Sequence, residues 1–411
     1  MAMSQKACRS CGDELVGPIL DLGNQPLANR LIRDNQIEDF EPRFPLCLMH
    51  CRKCGLIQLS HTVDPKMLFS DYPYFSSNSE AFLKHAKMAA QSYIEEYNLD
   101  KNSFVVEIAS NDGYLLKNIL GNGIPCLGIE PAKNIAKKAE DEGVPTLCDF
   151  FSKKTAEKVI SKYGRADLIV GNNVFAHVPE VNNFVQAVKR LLTKSGRAIF
   201  EFPWALAMMK NLEFDTIYHE HIFYFHTHPL VPLFAKHCLQ IVKIEQIPIH
   251  GGSLRVHIAH KDTDSPDPSV ANILAEETHE GLGTEEYYEK FRQEALDLKC
   301  KIAAEIRKIK QSGNKIAAYG ASAKGSTLLN FCGIGKEAIE FVVDRNVNKQ
   351  GKFTPGTRIP IMPIAELIKK MPDVTLLLTW NFAEEILSQQ KDYIHCGGKF
   401  LIPLPTPHYL P

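Results

Sequence analysis

The stretch VVEIASNDGYLL, residues 105–116, decides the fold. A β-branched apolar run (Val105, Val106, Ile108) breaks at small and turn-forming residues and passes into GYLLKNIL, 113–120, whose apolar spacing is helical. Strand, short loop and helix in that order open a doubly wound α/β unit, which binds a nucleotide-type cofactor at the carboxyl end of its first strand. The loop has one glycine, Gly113, whereas a dinucleotide fingerprint needs several so that backbone can approach a pyrophosphate. It also follows an acid, Glu107. Both features disfavour a diphosphate and favour a cationic cofactor.

Reading outward, IPCLGIEP (124–131) is a second strand that ends in Glu130 and Pro131, where a carboxylate usually holds a ribose diol. CDFF (148–151) then offers Asp149 for an adenine amino group and Phe150 for its face. ADLIVGNN (166–173) is a further strand, and Asn172 at its end flanks the same crevice. Acids at successive strand ends fit S-adenosylmethionine, which carries a sulfonium, an ammonium and a ribose. Its expected contacts are Glu107, Ala109, Asn111, Asp112, Gly113, Glu130, Pro131, Asp149, Phe150 and Asn172. A helix over 81–98 precedes the unit. RAIFEFP (197–203) continues the sheet. LQIVKIEQIPI (239–249) and SLRVHIAH (253–260), joined through HGG, predict an antiparallel hairpin that closes it.

KDTDSPDPS (261–269) reads as a linker. A long helix follows at about 283–312, and then a second alternating unit: KIAAYGASAKGS (315–326), IEFVVDRN (339–346), VTLLLTW (374–380) and KFLIPLP (399–405). At the other end of the chain, Cys8-Arg-Ser-Cys11 and Cys51-Arg-Lys-Cys54 are two C-x-x-C knuckles in a region with little core of its own. Four thiolates suit a closed, structural Zn2+ site. Cys47, in FPLCLMH, reads as a strand residue outside the metal set.

The 411 residues suit two or three domains. The formal net charge of −1 gives no basic field for nucleic acid, and no apolar run reaches the roughly 18 residues of a membrane span. The N-terminus lacks the apolar core of a signal peptide, so the expected location is cytoplasmic, where clustered cysteines hold metal before they form disulfides.

The paired knuckles, EIASNDG, GIEPA, YHEH and YGASAKGSTLLN together resemble, in order and over nearly the whole chain, the nucleotide-sugar C-methyltransferases. These enzymes methylate C-3 of a 4-keto-deoxysugar carried on a nucleotide. The resemblance implies a zinc-binding domain (1–72), a central class I, Rossmann-like methyltransferase domain (73–262) and a C-terminal α/β domain (263–411) that closes over the nucleotide sugar.

FDTIYHEHIFYF (214–225) falls just past the strand RAIFEFP, on the cofactor side of the sheet. A sugar carbon becomes a nucleophile only when a proton beside a ketone is removed, which requires a base and an oxyanion donor. His221 is the expected base, because imidazole titrates near neutrality. Tyr218 is a donor or a sugar ligand, and Glu220 binds a hydroxyl or orients a neighbour. In an extended segment Tyr218 and Glu220 would face away from His219 and His221; a turn would break that separation. The resemblance implies that Tyr218, Glu220 and His221 all line the sugar pocket. It adds Tyr72, with Tyr74 and Phe75 as walls, and His177 as a second proton carrier.

The loop GASAK (320–324) and its helix start favour an anion, so Ser322 and Lys324 are candidates for a diphosphate. Asp344 and Asn346 are candidates for ribose or base contacts. The expected partner is a nucleotide-diphosphate 4-keto sugar, with the protein a monomer. Three rival readings are a zinc-knuckle RNA methyltransferase, a non-catalytic nucleotide-sugar binder, and a metal site built from His219, His221, His226 and His228.

Overall fold

In the computed structural model, which describes residues 3–69, 75–249 and 251–410, the central sheet runs Leu239–Ile247, Ser253–His260, Leu192–Pro203, Ala166–Asn172, Val105–Ile108, Cys126–Ile129, Thr146–Leu147. The last five strands pair in parallel. Ser253–His260 is antiparallel to both its neighbours, as the hairpin pattern predicts. Val105–Ile108 and Ala166–Asn172 are buried along nearly their whole length, consistent with a parallel sheet covered on both faces. One covering element is the helix Glu80–Glu96. Ser79 Oγ caps it, and Phe82, Ala86, Ala89 and Tyr93 form its buried stripe at helical spacing. Strand order reverses between Val105–Ile108 and Ala166–Asn172, so the ligand crevice opens beyond those two carboxyl ends.

The C-terminal unit repeats this logic. Its sheet runs Ile361–Met362, Val342–Val343, Ile316–Tyr319, Val374–Leu377, Lys399–Ile402, His408–Leu410, parallel except for the last strand. Its order reverses beside Ile316–Tyr319. There Ser322 Oγ accepts from Gly325 N at 3.0 Å and starts the helix Ala323–Cys332. The linker is shorter than expected. A helix, Pro268–His279, begins inside it, because Asp267 caps the first turn and Pro268 stands where a missing N–H costs nothing. The long helix follows as Glu285–Gln311.

The N-terminal region lacks a closed core because it shares one. Its strands Leu15–Pro26, Arg43–Cys51 and Ile57–Leu59 form an antiparallel sheet, and Phe223–Tyr224 from the central unit adds the edge strand. Ile32–Arg33 pairs with Lys352–Phe353 of the C-terminal unit. Buried Leu48, Phe223 and Leu329 belong to one apolar cluster that spans all three regions.

Candidate active site

The crevices of the two parallel sheets open into a single cavity of about 620 Å³. Ile108, Ala109, Asn111, Glu130, Pro131, Phe150 and Asn172 line its methyltransferase end. His177, Thr216, Tyr218 and His221 line its middle, and Ser322, Lys324, Asp344 and Lys349 its C-terminal end. Asn29 and Pro65 of the N-terminal region complete the wall.

At the first end, Ala109 and Asn111 adopt φ of 55° and 50°, and Gly113 of 76°. These left-handed residues supply the tight turn that a glycine-rich loop makes elsewhere. Gly113 is fixed by space as well, since a Cβ there would stand 2.7 Å from a Val144 methyl. Asn111 Oδ1 accepts from Ser76 N at 2.9 Å and Asp112 Oδ2 from Ser77 N at 3.2 Å, so the loop also anchors the segment that precedes the helix Glu80–Glu96. The Glu130 oxygens accept from Asn111 N at 3.0 Å and Ala132 N at 2.9 Å. Burial nevertheless pushes its pKa up to about 7. Glu107 is fully buried with no hydrogen-bond partner on either oxygen among the described residues, and burial raises its pKa well above the carboxylate range. Asn172 Oδ1 is likewise buried and unpartnered. The orphaned Asn172 Oδ1 and the Glu130 carboxylate, both on the cavity wall, fit a ligand that brings ammonium, sulfonium and hydroxyl groups, as S-adenosylmethionine does.

The structure does not bring Asp149 to this wall. Its carboxylate faces Lys158 at 2.9 Å, while Phe150 reaches the cavity. Glu107, Asp112 and Gly113 lie behind the wall.

In the middle, a turn replaces the extended reading of YHEH. His221 N donates to the Tyr218 carbonyl at 2.9 Å, which brings these two side chains together and sends the pair between them elsewhere. Tyr218 Oη lies 2.8 Å from His221 Nε2, and the ring centroids are 4.1 Å apart. His221 Nδ1 lies 3.1 Å from the Thr216 carbonyl. A carbonyl only accepts, so Nδ1 carries the proton and Nε2 presents its lone pair to the Tyr218 hydroxyl. The His177 ring stands edge-on to His221 at 4.9 Å, and desolvation lowers its pKa to about 4. Glu220 is buried and accepts from Asn29 Nδ2 at 2.7 Å, so it holds a wall residue and does not itself line the cavity. His219 turns away to the Phe44 carbonyl.

The four-histidine metal reading fails on this geometry. His226 is bound to Gly55 and Glu277, and His228 to Leu274 and Thr278. Among the described residues the one metal-ready cluster is Cys8, Cys11, Cys51 and Cys54, whose sulfurs all lie within 4.8 Å of one another. Cys8–Cys54 and Cys11–Cys51 are 3.5 and 3.4 Å apart, close to the roughly 3.8 Å edge of a tetrahedral zinc–thiolate site. The glycine after each knuckle, Gly12 and Gly55, takes a left-handed φ of 83° and 78° and donates to the first cysteine's carbonyl. Cys47 stays outside, against Met49.

At the C-terminal end, Asp344 Oδ2 accepts from Ala321 N at 2.8 Å and Oδ1 from Asn346 N at 2.8 Å. Lys349 Nζ donates to the Ala321 carbonyl at 2.8 Å and stands 3.4 Å from Asp344. Asn346 and Phe75 lie off the wall. Tyr72 and Tyr74 fall outside the described residues. Lys349, Asn29 and Thr216 were missed in the sequence. The signal for Lys349 was its place five residues after Asp344 in DRNVNK.

This strand order, with an antiparallel penultimate strand in the sheet and acids at the first two strand ends, is that of a class I S-adenosylmethionine-dependent methyltransferase. Family models match in three blocks: a zinc binding domain over residues 8–69, a methyltransferase domain over 82–244, and a C-methyltransferase C-terminal domain over 248–405. C-methyltransferase NovU of Streptomyces niveus is 36% identical over 404 residues, 98% of this chain and 96% of its own. The chain belongs to this C-methyltransferase family, and its cofactors are S-adenosylmethionine and a structural zinc ion. Solved structures similar to part of the chain include a magnesium protoporphyrin IX methyltransferase of Synechocystis (10% identity, TM-score 0.34, 44% of this chain and 79% of its own). Another is an S-adenosylmethionine-dependent methyltransferase of Clostridium acetobutylicum (13%, TM-score 0.35, 44% and 92%). No helix among the described residues is long and apolar enough to cross a membrane.

Proposed function

We propose that the protein C-methylates a nucleoside-diphosphate-linked 4-keto-6-deoxysugar at C-3, by removing the proton beside the ketone. The observation that carries this reading is the Tyr218–His221 pair. A basic Nε2 with a phenol at 2.8 Å lies in the cavity that joins the cofactor crevice to a cationic end. S-adenosylmethionine, when bound, supplies the electrophilic methyl group for the carbon so activated. His221 Nε2 takes the C-3 proton, and the C–H electron pair moves into the enolate of the 4-ketone. The Tyr218 hydroxyl leaves Nε2 and donates to that oxyanion. The resulting imidazolium is held by the Thr216 carbonyl, which already accepts from Nδ1.

Lys324, Lys349 and the Ser322 helix start would bind the diphosphate. Glu130 would hold the cofactor ribose and Phe150 would cover its adenine. Glu220 acts through Asn29, and His177, largely neutral at pH 7, packs against the base. The domain limits 1–72, 73–262 and 263–411, a monomeric state and a cytoplasmic location belong to the same reading. Reduced thiols, which the zinc site needs, support that location.

The test is solvent deuterium exchange without S-adenosylmethionine. The C-3 proton of a bound keto sugar should exchange with wild type. With His221→Asn it should not, although the sugar still binds. Exchange that persists in His221→Asn would remove the base assignment.

A further inference from the structure

Three contacts tie the segment just before Tyr218 to the C-terminal unit. Lys324 Nζ stands 3.4 Å from Glu213 Oε2, Trp380 Nε1 donates to Asp215 Oδ2 at 2.7 Å, and Thr327 Oγ1 donates to the Ile217 carbonyl at 3.2 Å. The residues held alternate along the chain. Thr216, between Asp215 and Ile217, points its carbonyl at His221 Nδ1.

Asp215 is completely buried. Its Oδ1 has no hydrogen-bond partner among the described residues, and burial raises its pKa. A carboxylate kept in such a place is costly for stability alone. Neither Asp215 nor Trp380 lines the cavity, so a substrate contact does not account for them.

We infer that Trp380 and Asp215 are positioning residues: the indole N–H of the C-terminal unit fixes Asp215, and Asp215 fixes the neighbouring Thr216 carbonyl that sets the tautomer and orientation of His221. The base on the methyltransferase unit is thus aimed from the C-terminal unit, by a contact outside the cavity. Lys324, which lines the cavity and also meets Glu213, links an anion arriving there to the same segment. The inference rests on His221 being the base.

The test uses the full zinc-loaded chain with 15N-labelled histidine, the His221 signals being assigned by their loss in His221→Asn. Wild type should show a protonated Nδ1 and a bare Nε2. Trp380→Phe and Asp215→Ala should show a tautomer mixture, whereas Asp215→Asn, which keeps an oxygen for the indole, should resemble wild type. An unchanged tautomer in both Trp380→Phe and Asp215→Ala overturns the inference, as does equal damage from Asp215→Asn and Asp215→Ala.

Turnover is then measured with the thymidine, guanosine or cytidine diphosphate 4-keto-6-deoxyglucose that reacts fastest. kcat should fall about tenfold or more in Trp380→Phe and Asp215→Ala, with KM within about twofold. Wild-type kcat in those variants also overturns the inference. Normal zinc content and melting curves separate lost aim from lost folding. The base assignment fails separately, if His221→Asn itself remains active.

Discussion

Replacing Glu130 by glutamine should flatten a pH dependence that the structure puts into the ligand-free protein. Burial pushes the Glu130 pKa from 4.5 up to about 7, although two backbone N–H groups oppose that rise. At 1.36 kcal/mol for each pKa unit, the difference is about 3 kcal/mol. Because the pKa is raised on folding, the folded chain binds more protons than the unfolded chain between pH 4.5 and 7. The stability contributed by the neutral acid is fully present below pH 4.5 and is lost as the pH rises through about 7. For a unit of 150–250 residues, a loss of about 3 kcal/mol lowers the melting point by roughly 6–12 °C.

The assay is calorimetric melting of wild type and Glu130→Gln from pH 5 to 8, without cofactor. Glu107, raised chiefly by burial and in part by Glu130 itself, contributes with the same sign in both proteins, so the difference between the two curves reports Glu130 together with its effect on Glu107. A ribose diol needs the ionised carboxylate. Wild-type affinity for S-adenosylhomocysteine should therefore be about tenfold weaker at pH 6 than at pH 8, following the ionised fraction. Parallel melting curves for the two proteins, or a flat binding profile, would refute the reasoning.

Three further outcomes are expected. His221→Asn should lower kcat by about 10²–10⁴-fold, and Tyr218→Phe by less, with melting points near wild type; steady-state kinetics beside melting curves checks this. Zinc removal by chelator, or Cys51→Ser, should abolish both zinc content and turnover, because Phe223–Tyr224, two residues past His221, pairs with Ile57–Leu59 beside the knuckle. Metal analysis alongside the activity assay would contradict this if zinc-free protein stayed fully active. Lys349→Ala should raise KM for the nucleotide sugar while kcat changes little, and that effect should shrink in high salt.

What was legible in the sequence follows local rules. The strand–loop–helix at 105–120, the closing hairpin and the paired knuckles all come from short-range periodicity and spacing. Membership of the cavity did not. His221 was identifiable by its chemistry and by resemblance, but its pairing with Tyr218 depends on a turn at 218–221, and Glu220 is drawn off by Asn29, far away in the chain. Asp149 sits at a strand end where an adenine contact was expected. A lysine one helix face away, Lys158, captures it instead. The N-terminal region looked poorly cored because its partners, including the edge strand Phe223–Tyr224, are distant in sequence. The helix Pro268–His279 was hidden by the turn-forming residues that cap it.

The central claim is that carbon beside a ketone receives the methyl group. Incubating the protein with S-adenosylmethionine carrying a 13C-methyl group and a nucleoside-diphosphate 4-keto-6-deoxysugar, then analysing the product by mass spectrometry and NMR, tests it most directly. The account predicts one added methyl, its 13C coupled to C-3 of the sugar and the C-3 proton gone. A label on oxygen or nitrogen, or on a carbon not adjacent to the ketone, would contradict it.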